Sequence, residues 1–254
     1  KNHLPYDVVV EQLHIEEPLL QLRALKTPTF AYSAVIVTVV NSALAVGSVI
    51  LPIYLQNVLG LTAFETGILM TPGAVATIFL SPVSGMLFDR FGPRVIAIVG
   101  LTGLTASLAA LSFVDDKTMV AYLVAFYVIQ SSGLTLANMP VTTWGINALP
   151  NDMIAHGNAI SNTGRQVGGA VSTALIVTVM TMVTAANAEA GPVLSTAAGI
   201  DVAYGISAAV AGIALVIAVL KVRNVKKQAV ASPASQAEAP LEIEMEEARE
   251  GAAR

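Results

Sequence analysis

Residues 85–94 read GMLFDRFGPR, and six of those ten positions are glycine, proline or charged, between flanks that carry almost no charge. Asp89 can accept hydrogen bonds from a helix N-terminus or pair with an arginine. Gly85 and Gly92 permit close approach and unusual backbone angles, and Pro93 blocks helix continuation. The chemistry open to Asp89, Arg90 and Arg94 is reversible ion pairing across a turn, with no bond made or broken. The plainer alternative is a tight turn whose arginines only fix topology.

A second group of polar residues lies inside otherwise apolar sequence. Pro150-Asn151-Asp152 is a helix start, and a helix beginning near Met153 carries Arg165 ~18 Å along its axis at 1.5 Å per residue. A charge at mid-bilayer costs roughly 2.5–3.5 kcal/mol even on lenient scales, and Asn162 and Gln166 flank Arg165 at helical spacing. The alternative is a first turn in the cytoplasm, with Arg165 reaching back to the interface. Asn41 and Gln130 sit near the centres of two further apolar runs, with Tyr127 and Asn138 near the face of Gln130. They line a cavity or make interhelical hydrogen bonds of ~0.6 kcal/mol and at most ~1.7; both readings stand.

The elements that hold these groups follow from composition. The chain has 254 residues, 55% hydrophobic and only 12% charged, against about 25% charged for a soluble domain. Six stretches free of charge and histidine cover 30–56, 66–88, 95–113, 118–143, 166–188 and 202–220. Each reaches the ~20 residues needed to cross a bilayer. The expected fold is all-α integral membrane, a bundle of six transmembrane helices over 30–222, with spans at about 30–56, 66–88, 95–113, 118–143, 155–188 and 202–222. Small residues at Gly164, Gly168 and Ser172, and at Gly103 and Ser107, have the spacing that lets membrane helices pack closely.

Counting basic residues in alternate connections places 12 of the 13 on one side, with Lys117 alone on the other. That asymmetry puts both termini and the GMLFDRFGPR turn in the cytoplasm. Residues 223–254, rich in Ala, Pro, Ser and Glu, read as a disordered cytoplasmic tail. The chain has no cysteine, which excludes disulfide and thiolate chemistry. It has no metalloprotease, nucleophile-elbow or phosphate-loop pattern, so an enzyme is not expected. No metal site, cofactor or nucleic-acid partner is expected either.

The order Gly85, Leu87, Asp89, Arg90, Gly92, Arg94 between a second and a third span resembles the signature loop of the major facilitator superfamily. Glu17-Pro18-Leu19-Leu20-x-Leu22-Arg23, Leu51-Pro52-x-Tyr54-Leu55-Gln56-x-x-Leu59-Gly60, Gly67-x-x-x-x-Pro72 and Asn162-Thr163-x-Arg165-Gln166-x-Gly168-Gly169 narrow the likeness. Over residues 16–222 the chain resembles the C-terminal half of the 14-span drug:proton antiporters of EmrB/QacA type. The resemblance implies a fold that is half of a major facilitator unit, with 1–29 a cytoplasmic segment between the bundles. It implies a latch at Asp89 that holds the outward-open state, and a central cavity beside the first and fourth spans.

It further implies efflux of amphipathic or cationic drug-like compounds from a bacterial cell, across the plasma membrane. The proton gradient is the driving force, and the implied partners are the N-terminal bundle, the lipid bilayer and a small-molecule substrate. The family's Asp-Arg motif of the fourth helix and Gly-Pro motif of the fifth belong to the first half and are not found here. Glu65, Asp89, Asp152 and Asp201 all fall near span ends, so the coupling carboxylate is expected in that other half. A half-size membrane scaffold or regulatory subunit that does not transport is the alternative function.

Overall fold

The computed structural model describes residues 22–114 and 119–222, and every regular element within them is a helix. The expected tail over 223–254, most of the 1–29 segment and the outer loop with Asp115, Asp116 and Lys117 lie outside the described residues.

Helix α1 runs Pro28–Asn57, with Pro28 in its first turn, where the missing N–H is no loss. Pro52 lies inside α1 without ending it, as membrane helices permit. The next helix, Ala63–Leu111, is 49 residues long. At 1.5 Å per residue that is ~74 Å, more than twice the ~30 Å hydrocarbon layer, so it cannot be one crossing. Gly92 divides it: φ 79° and ψ 170° fall in a region open essentially to glycine alone. The halves are α2 (residues 63–91) and α3 (residues 93–111), and Pro93 is buried at the head of α3.

Helix α2 opens on a reciprocal cap. The Glu65 amide donates to Thr62 Oγ1 at 3.3 Å, and the Thr62 amide donates to Glu65 Oε2 at 2.9 Å, which satisfies two amides that the helix leaves without partners. Helix α4 is Val120–Ile146, α5 is Ile154–Ala186 after a short turn at Asn151–Met153, and α6 is Pro192–Lys221. With Ala63–Leu111 counted once, five helices are long and apolar enough to cross a membrane. The break at Gly92 makes six crossings, the half-bundle that the apolar runs predict.

The sixth helix starts ten residues before the charge-free run does. Gly191, at φ 91°, and Pro192 in the first turn set its start, while the uncharged run begins only after Asp201. Asp201 therefore lies ~14 Å into α6 at helical rise, rather than at its beginning.

Helices in a bilayer associate through van der Waals contact rather than the hydrophobic effect, so close backbone approach decides how they pack. Leu101, Leu104, Leu108 and Leu111 form one fully buried stripe of α3 in a core shared with Ile36, Val40 and Ile50 of α1 and with Ile200 of α6. The α3–α4 crossing is glycine on glycine. A β-carbon on Gly100 would lie 2.6 Å from the Ala137 nitrogen and 2.7 Å from the Gly133 oxygen, and one on Gly133 would lie 2.6 Å from the Gly100 oxygen. Gly103 has no such neighbour closer than 3.9 Å, and Ser107 is buried with its hydroxyl donating to the Leu104 carbonyl at 2.8 Å. The closest approach thus falls at Gly100, one turn before the Gly103–Ser107 spacing.

Helix α4 fits its other neighbours in the same way. The Tyr127 ring would be 2.4 Å from a β-carbon on Gly73 of α2, and the Gln130 amide 2.5 Å from one on Gly47 of α1. Between α5 and α1, Gly168 lies where a β-carbon would meet the Thr38 methyl at 2.2 Å, and Ser172 Oγ donates to Ser42 Oγ at 2.9 Å. The Gly164-Gly168-Ser172 stripe is accordingly a packing seam.

Candidate functional site

An open cavity of about 1110 Å³ lies between α1 and α5, and its polar wall includes Asn41, Ser48, Arg165, Gln166, Thr173 and Thr178. Helical register explains the set. Ser48 follows Asn41 by seven residues and Thr173 follows Gln166 by seven, two turns along one face in each case. Arg165 is half-buried, and its Nη2 donates to Asn162 Oδ1 one turn earlier on α5. Arg165 is the only charged side chain in the cavity wall among the described residues.

Asn41 also reaches across to α4. Its Nδ2 donates to the Val37 carbonyl at 2.8 Å, and its Oδ1 accepts from Asn138 Nδ2 at 3.5 Å. Asn138 Oδ1 in turn lies 3.5 Å from the Thr142 hydroxyl, which donates to the Asn138 carbonyl at 2.8 Å. The pair thus ties α1 to α4 beside the cavity.

Gln130 and Tyr127 lie elsewhere. Gln130 is 3% exposed in the α1–α4 seam; its Nε2 donates to the Ala43 carbonyl at 3.4 Å, while Oε1 has no partner. Tyr127 packs on Gly73. Of the seven residues expected to line a cavity, Asn41, Arg165 and Gln166 form the wall, Asn162 holds Arg165, Asn138 holds Asn41, and Gln130 and Tyr127 fill seams. Ser48, Thr173 and Thr178 join the wall without having been expected. Hydroxyls are common in membrane helices, and only the seven-residue offsets from Asn41 and Gln166 mark two of them.

The α2–α3 turn divides its motif between two roles. Arg94 Nη2 donates to the Val219 carbonyl at 3.3 Å, placing a cation at the C-terminal end of α6, where helix carbonyls lack partners and the dipole is negative. Arg90 stacks 5.4 Å from the Phe91 ring centroid. Gly85 faces Met139 of α4 at ordinary contact distance. Asp89 is exposed, and among the described residues its carboxylate has no ion-pair or hydrogen-bond partner. Arg94 is thus committed to the fold, whereas Asp89 stands exposed at its surface.

Chemically, the cavity offers amides, hydroxyls, aliphatic surface and one guanidinium. That set can bind and release an amphipathic molecule. No group of His, Asp and Glu able to hold a metal ion occurs among the described residues.

Residues 5–173 match the family model of the Major Facilitator Superfamily. The chain is 42% identical over 173 residues to the uncharacterized MFS-type transporter YhcA of Bacillus subtilis, covering 68% of this chain and 32% of that protein. It is 35% identical over 172 residues to the lincomycin resistance protein LmrB of Listeria monocytogenes, covering 68% of this chain and 36% of that one. A multidrug resistance protein B homolog of Mycobacterium tuberculosis is 27% identical over 168 residues, covering 65% of this chain and 31% of that protein. The matched region is thus about a third of the length of these curated relatives.

Proposed function

This chain belongs to the major facilitator superfamily, and from that membership we propose that it forms the C-terminal bundle of a proton-coupled efflux transporter for drug-like amphipathic or cationic compounds. Its six membrane helices supply one half of an alternating-access unit, and the α1–α5 cavity supplies half of the substrate chamber. The N-terminal bundle closes that chamber from the other side. The membrane is the plasma membrane of a bacterial cell, with both termini of this chain cytoplasmic, in keeping with the distribution of basic residues.

The observation that carries this reading is Arg165. A half-buried guanidinium in a cavity wall without an acidic partner among the described residues calls for a carboxylate on the facing bundle. A carboxylate that alternates between a proton and an arginine can couple proton entry to substrate exit, because each state changes the charge balance of the cavity. Asp89 fits the latch role for a related reason: its charge has no partner among the described residues, so pairing across the gap costs none of the contacts seen there.

The test is efflux of a fluorescent cationic dye from vesicles containing the full-length transporter, driven by a pH gradient. Transport should collapse with an uncoupler. Arg165→Ala should abolish it at an unchanged amount of membrane protein, with Arg165→Lys partly active. Gradient-independent efflux would remove the antiport reading. Full activity of Arg165→Ala would remove Arg165 from the mechanism.

A further inference from the structure

A second cavity lies on the far side of α5 from the substrate chamber. Its volume is about 330 Å³, and its wall includes Val39 and Val46 of α1, Leu175 and Ile176 of α5, and Ile206 and Val210 of α6. Around α5 the cavity residues Ser172, Ile176 and Val179 form a different face from Gln166, Thr173 and Val177, which line the larger chamber.

The hydroxyls at its edge are already used. Ser172 donates to Ser42, Ser42 donates to the Thr38 carbonyl at 2.8 Å, and Ser207 donates to the Ala203 carbonyl at 2.8 Å. A buried water needs two to four polar partners, so this space suits hydrocarbon. Its rim reaches the outer surface of this bundle, where Leu175 is 62% exposed and Val210 is 40% exposed, next to Ile213 at 62%.

The helical register carries the same face down to a cation. On α1, Tyr32 precedes Val39 by seven residues, and on α6, Lys221 follows Val210 by 11, three turns further on. Lys221 is exposed, and its Nζ lies 5.3 Å from the Tyr32 ring centroid, a Lys–Tyr pair of the kind found at headgroup level. In the sequence, Lys221, Arg223, Lys226 and Lys227 follow one another with no acid between Asp201 and Glu238. The axial distance from Lys221 to Val210 is ~16 Å, close to the ~15 Å of one leaflet's hydrocarbon.

We infer that this face of α1 and α6 is a binding site for an anionic phospholipid of the leaflet at the Lys221 end, with its phosphate at Lys221 and one acyl chain ending in the 330 Å³ cavity. The charge selects the headgroup, and the dry cavity selects the chain. The site depends on the protein's being embedded in a membrane and not on what it transports. An occupied cavity braces α5 from behind, so lipid composition bears on the helix that carries Arg165.

The test uses the full-length transporter in vesicles that contain phosphatidylglycerol with a photoreactive group near the end of an acyl chain. A matched phosphatidylcholine probe serves as the comparison, and labelled peptides are read by mass spectrometry. Phosphatidylglycerol should label the stretches 39–46 and 206–210 several-fold more than phosphatidylcholine. Lys221→Gln should bring the two probes level, while Lys221→Arg keeps the difference. Val210→Trp, or Ser207→Leu as a milder filling, should remove the cavity label and leave labelling at exposed Leu220. Equal labelling by both probes in the unaltered protein, or a cavity label that survives both filling variants, would overturn the site.

Discussion

Replacing Gly100 by alanine adds one methyl group where α3 and α4 touch through their backbones. That carbon would sit 2.6 Å from the Ala137 nitrogen, 2.7 Å from the Gly133 oxygen and 3.0 Å from the Leu136 carbonyl carbon. All three are main-chain atoms in the middle of a helix, so none can swing aside as a side chain would. Restoring ordinary contact of ~3.5 Å requires the helices to separate by ~1 Å, which gives up dispersion contacts along the Leu101, Leu104 and Leu108 stripe. Overpacking of this kind costs ~1–3 kcal/mol. Gly103→Ala provides the control, because it lies one turn away with nothing closer than 3.9 Å and gains up to ~1 kcal/mol of helix propensity. The assay is the thermal midpoint of the detergent-solubilised full transporter, followed by loss of the monodisperse peak in size-exclusion chromatography. Gly100→Ala should lower the midpoint, by less than the roughly 2–4 °C per kcal/mol of a 150–250-residue domain because unfolding entropy grows with chain length, and Gly103→Ala should leave it level or raised. Equal midpoints for the two variants would show that the helices do not cross where the glycines put them.

Three other expectations are independent of that crossing. Gly92→Ala must hold φ near 79°, at a cost of ~1–3 kcal/mol, and should lower the same midpoint; an unchanged midpoint would mean the α2–α3 turn has a different backbone. A double-mutant cycle on Asn41→Ala and Asn138→Ala should give a coupling of about 0.6 kcal/mol, at the modest end because their contact is 3.5 Å long. Zero coupling would leave Asn41 as a cavity residue only. Asp89→Asn should leave stability untouched, because its carboxylate has no partner among the described residues, yet shift the full transporter away from its outward-open state, as read by labelling of a cysteine introduced in the chamber. An unaltered labelling rate would return Asp89 to an ordinary turn residue.

The crossings were legible because a bilayer imposes its thickness directly on the sequence, as runs of about 20 residues without charge. The same signal misplaced the start of α6, where Asp201 lies within the helix and the true boundary is set by Gly191 and Pro192. Gly92 and Pro93 could be read as a turn from residue type alone. The side-chain destinations could not. Period 3.6 gives the angle of Gln130 relative to Asn138 on α4, but it does not say which neighbour each angle faces. Gln130 meets Gly47 in a seam, while Asn138 reaches Asn41 beside the cavity. The tightest crossing was missed for the same reason, since Gly100 and Gly103 look alike until the position of α4 is known.

Helix α4 is seated by three glycine contacts at once, Tyr127 on Gly73, Gln130 on Gly47 and Gly133 on Gly100, and this has a consequence for how the gene can vary. Deleting or inserting a single residue between Tyr127 and Gly133 would turn the positions on one side of it by ~100° relative to those on the other and slide them by ~1.5 Å, so that the three contacts could no longer form together. A substitution at any one of them disturbs one neighbour, whereas an indel of one codon within that stretch breaks the register that all three share. The spacing from Tyr127 to Gly133 is therefore held fixed by packing, and a change in chain length is more easily absorbed at 187–191, where every residue is exposed or half-buried.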